Sequence, residues 1–109
     1  MLPADFIVIW RRWLRRPVPT TDFRNEHVQS PSYELEHDID HSVSYVKGLV
    51  ENFMAGKPLD YKKLASEELS EIEKMMKSLE RVDLGDVEKK TWSDYLSDMN
   101  LIVQKLAEL

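Results

Sequence analysis

Residues 60–82 read DYKKLASEELSEIEKMMKSLERV, and the placing of the apolar residues in this stretch decides the fold. Leu64, Ala65, Leu69, Ile72, Met75, Met76, Leu79 and Val82 recur at steps of three and four, which lines them along one face of an α-helix. Lysine and glutamate occupy most of the positions between them and supply the solvated face. Asp60 stands just before the periodic run, where a carboxylate accepts a hydrogen bond from an otherwise unpaired first-turn N–H.

The same period continues on both sides. Upstream, Ser30 is placed as a cap and Pro31 as the first helical residue, where a missing N–H costs nothing. Leu35, Ile39, Val43, Val46, Leu49, Val50 and Phe53 form the stripe of that helix, and Gly56 and Pro58 stop it. Downstream, Asp83-Leu84-Gly85-Asp86 reads as a turn in which Asp83 or Asp86 caps a last helix carrying Trp92, Tyr95, Leu96, Met99, Val103 and Leu106. Each pattern covers about 20 residues, or roughly 30 Å of helix. No stretch of useful length shows the strict alternation of a strand. Equal lengths and short connections therefore predict an all-α fold, an antiparallel helical bundle of three long helices plus a short N-terminal helix.

That short element spans Pro3 to Arg16. Phe6, Ile9, Trp10, Trp13 and Leu14 fall at helical spacing, and Asp5 suits the positive end of a helix. Ile7, Val8 and Ile9 are β-branched, so a short strand over Asp5–Trp10 is the alternative. Pro17 and Pro19 end either element. The chain thus divides into a basic, aromatic arm at 1–16, a proline-rich linker at 17–32 and a three-helix body at 33–109, one domain overall.

The composition narrows the function. Of 109 residues, 42% are hydrophobic and 32% charged, enough to fold and to solvate long amphipathic helices. The absence of cysteine excludes disulfides and thiolate chemistry and fits a reducing compartment. No apolar run approaches the ~20 residues of a bilayer span. Arg11, Arg12, Arg15 and Arg16 follow the first apolar stretch, the reverse of a secretory signal. The expected setting is cytoplasmic. Residues 1–29 hold five arginines against three acids, while residues 30–109 carry a net charge of −7. Such an acidic body disfavours nucleic acid and anionic membrane as partners.

One cluster has ligand chemistry. Glu34, His37, Asp38 and His41 lie at offsets of three and four, so a helix brings them to one side, and a histidine pair at i, i+4 can chelate a metal. Zn, Fe or Mn would then make the chain a metal-binding bundle, for redox chemistry or storage. A carboxylate-bridged di-iron site needs a second Glu-x-x-His, which this chain lacks unless a second copy supplies it. Otherwise the cluster is a solvated helix face with no cofactor. The serines have no nucleophile-elbow context, and the three glycines form no phosphate loop. A non-enzymatic protein is expected.

The arm is the most unusual composition. Trp10, Arg11, Arg12, Trp13, Arg15 and Arg16 combine the residue types most enriched at binding hot spots. The expected function is a protein–protein interaction module (adaptor, regulator or assembly subunit) whose arm meets a protein partner. Alternatively the arm folds back, its tryptophans completing the core and its arginines meeting the acidic body. Three helices leave room for a fourth. The arm fills it, or two chains pair as a homodimer.

Overall fold

A computed structural model describes residues 4–16, 31–82 and 85–109. Four helices run in chain order, α1 (Ala4–Arg15), α2 (Pro31–Met54), α3 (Tyr61–Arg81) and α4 (Asp86–Ala107), with no strand among the described residues. The fold is all-α, and residues 4–15 are helical despite three β-branched residues in a row. Burial explains that outcome: Phe6, Trp10 and Trp13 lie on one face of α1 and are buried together, which outweighs a weak local preference. α2 begins at Pro31, inside the stretch read as linker; residues 17–30 of that linker, with the Ser30 cap, lie outside the described residues.

Local chemistry sets the ends. α2 closes in a Schellman motif: Lys57 N–H donates to the Asn52 carbonyl at 3.0 Å and Gly56 N–H to that of Phe53 at 3.1 Å. Gly56 takes φ +75° there, a conformation a β-carbon opposes. Asp60 caps α3 as expected, accepting from Lys63 N–H at 3.2 Å. At α4 the expectation needs correction. The cap is Gly85, with no side-chain hydrogen bond, and Asp86 is the first helical residue, where its charge meets the positive helix end. Asp83 lies outside the described residues.

The helices form an elongated body of 45 × 22 × 22 Å. The core stripes are the expected ones, joined by Phe6, Trp10 and Trp13 of α1 and by Ile102 of α4. α3 packs mainly on α4, α2 mainly on α3, and α1 on α4. Side-chain pairs run in opposed senses along two of the neighbouring pairs. On α1 and α4, Asp5 meets Lys105 while Arg12 meets Asp98. On α2 and α3, Ser42 meets Glu68 while Phe53 meets Tyr61.

Candidate functional site

Two surfaces carry the chemistry, and both follow from which residues the core absorbs. The first begins with the arm. Trp13 is 1% exposed, its ring 5.4 Å from Tyr95 of α4 and 5.6 Å from Trp10, and the ammonium of Lys47 lies 5.7 Å from its centroid. Beside this aromatic seam, Arg12 Nη2 donates to Asp98 Oδ1 at 2.8 Å. Arg16 Nε stands 2.8 Å from the other carboxylate oxygen as a charge partner, without the alignment of a hydrogen bond. One buried aspartate thus receives two arginines. At the far end of α1, Lys105 Nζ approaches Asp5 at 2.7 Å. That bond holds the Asp5 carboxyl below its usual range and the Lys105 ammonium above its own. Burial, with the Asp40 charge adding to it, pushes the Tyr95 phenol up to about 12, so it stays neutral at the seam.

Of the six arm residues expected to meet a partner, the structure therefore places Trp10, Trp13, Arg12 and Arg16 in contacts within the chain. Arg11 and Arg15 are exposed and make no ion pair among the described residues. They share the outer side of α1 with Val8, 63% exposed, and Leu14, 46% exposed.

The second surface is a cleft of about 640 Å³ between α2 and α3. Leu35, Leu64 and Met75 give it an apolar floor, and Asp38, Glu67 and Glu71 give it an acidic wall. At its base the Ser42 hydroxyl donates to the buried Glu68 carboxylate. Desolvation pushes the Glu68 carboxyl up from its usual range; the Ser42 hydrogen bond and the His41 charge oppose the rise, and the Glu71 charge adds to it. Tyr45 on the same wall has its phenol raised by burial and by Glu68 and Glu67. No hydrogen bond links His41 to Ser42 among the described residues, and the hydroxyl proton points at the carboxylate. That hydrogen bond gives the buried Glu68 carboxylate a donor.

The four expected metal ligands do not converge. Glu34, His37, Asp38 and His41 are all exposed on α2, with Asp38 and His41 on the cleft and His37 lining neither it nor the smaller hollow that Glu34 borders. Among the described residues, no group of three or more His, Asp or Glu side chains could hold a metal ion.

The cleft itself was missed in the sequence, though two signs were present. Glu68 occupies a stripe position, spaced as Ala65, Glu68, Ile72, Met75, and Ser42 directly precedes the stripe residue Val43. A carboxylate at a core position marks a place where a neighbouring helix must supply a donor. No helix among the described residues is long and apolar enough to cross a membrane. No family model matches the chain, and no curated protein or solved structure is significantly similar to it.

Proposed function

We propose that this chain is a non-enzymatic interaction module, a cytoplasmic adaptor, regulator or assembly subunit built as an antiparallel four-helix bundle. It binds a protein partner by taking a basic, partly apolar helical segment into the α2/α3 cleft. The observation that carries this reading is the cleft's make-up: carboxylates from both helices stand over a leucine and methionine floor, opposed by one lysine, Lys74, and by His41. Acidic walls steer a cationic partner and fix its register, while apolar burial supplies the larger share of affinity. The arm has a part in the same reading. Trp10, Trp13, Arg12 and Arg16 hold α1 in place, and Arg11 and Arg15 are the arm residues presented outward.

The test is a titration with two alanine-based helical peptides that share a leucine pair and differ in carrying two arginines or two glutamates four residues apart. The arginine peptide should bind, weaken about tenfold or more in the Glu67→Arg, Glu71→Arg variant, and weaken with added salt. Equal binding of both peptides, or of neither, would contradict the reading.

A further inference from the structure

The chain carries on α1 the type of surface that its own cleft suits. Arg11 and Arg15 stand four residues apart, about 6 Å along a helix. Glu67 and Glu71, on the cleft wall, are spaced by the same four residues on α3. Val8 and Leu14 flank the arginines as exposed apolar groups, and Leu35, Leu64 and Met75 floor the cleft. Within one chain the two surfaces cannot meet, because α1 is fixed to α4 by the Asp98 and Lys105 ion pairs and turns its arginines outward. We infer that the occupant of the α2/α3 cleft is the outer face of α1 from a second copy of this chain.

This inference rests on the proposed reading of the cleft and names its partner. Among the described residues Glu71 pairs only with Lys74, at 3.4 Å and with both side chains well exposed, so an incoming arginine displaces a contact of little worth. The contact joins two different surfaces, so copies add head to tail and close into a ring where the rotation between them allows it. The body's net negative charge opposes the approach of two copies, which makes the contact dependent on these residues and sensitive to salt.

Sedimentation of the full chain across a concentration series up to about 0.5 mM, where an association with a Kd of about 0.5 mM is half populated, tests it. Four samples are compared: the unaltered chain, R11E/R15E, E67R/E71R, and an equimolar mixture of the two variants, each checked for helical content by circular dichroism. The unaltered chain should self-associate. Each variant alone should weaken that association about tenfold or more, because like charges then face each other. The mixture should regain it, since each variant supplies the surface complementary to the other's. If either reversal disturbs folding, the neutral variants R11Q/R15Q and E67Q/E71Q replace it; each alone should weaken the association, and their mixture, in which an intact arm meets an intact cleft, should regain part of it. A monomer throughout, association that survives either variant, or a mixture that stays dissociated would overturn the inference. A chain that binds the arginine peptide but remains monomeric overturns this inference alone; one that does neither overturns the cleft reading as well.

Discussion

Arg12 of α1 and Asp98 of α4 form a hydrogen-bonded ion pair at 2.8 Å in which the carboxylate is buried and the guanidinium reaches solvent. The Asp98 side chain is 9% exposed, against 50% for Arg12 and 41% for Arg16, its second partner. That asymmetry predicts unequal costs. Asp98→Asn leaves two arginines that can turn to water, and should destabilise by about 1–2 kcal/mol. Arg12→Gln with Arg16→Gln strands a buried charge and should cost about 3 kcal/mol or more. Urea denaturation of the two variants would measure the order, and equal losses would contradict it.

Trp13 anchors the arm through its area. Trp13→Ala should destabilise by about 3–5 kcal/mol and remove the near-ultraviolet dichroism of the aromatic seam. Its Nε1 is buried with no acceptor among the described residues, so Trp13→Phe removes a donor without a partner there along with part of the ring. The phenylalanine variant should therefore lose well under half as much, a comparison thermal unfolding can make.

Gly48 inside α2 and Gly56 just beyond its end should respond oppositely to alanine. At Gly56 an added β-carbon meets nothing within 4 Å, but φ is +75°, so Gly56→Ala should cost about 1 kcal/mol through the backbone alone. Gly48 lies inside the helix with the same open space, and Gly48→Ala should stabilise by about 0.5–1 kcal/mol.

Glu68 gives the fold a pH dependence. Its carboxyl is raised in the folded chain, so between its unfolded and folded pKa the native state binds more protons, and this contribution to stability falls as pH rises through the folded pKa. Glu68→Gln, which keeps an acceptor for Ser42, should stabilise at neutral pH and lose that advantage at acid pH, below the unfolded value. Chemical denaturation at pH values either side of the carboxylate range would show the convergence. A constant difference would mean that desolvation of the charge is not the cause. Asp38, His41, Glu67, Glu71 and Lys74 also line the cleft, so the comparison is made variant against parent at each pH.

Much of the fold was legible because burial follows helical period. The stripes in 31–82, the Asp60 cap and the Gly56 stop were each carried by local chemistry. The α4 cap was not, because Gly85 adopts extended backbone without any side-chain bond and Asp86 falls inside the helix. The arm's two outcomes, docking on a partner or on its own body, have the same sequence signature. Only the position of Asp98, one residue before the stripe residue Met99, hinted at an acceptor for its arginines. The cleft was hidden for a related reason. Glu68 and Ser42 are ordinary residues 26 positions apart, and their pairing depends on how α2 meets α3.

The most direct test of the central claim is two-dimensional amide NMR of the full chain during titration with the arginine peptide. The account predicts concentration-dependent shifts in α2 and α3 around Ser42, Tyr45, Glu67 and Glu71, joined by Arg11 and Arg15 of α1 where the peptide displaces a second copy, with the Trp92 and Thr91 amides of α4 unmoved. Shifts centred on α4, or an unchanged spectrum at saturating peptide, would contradict it.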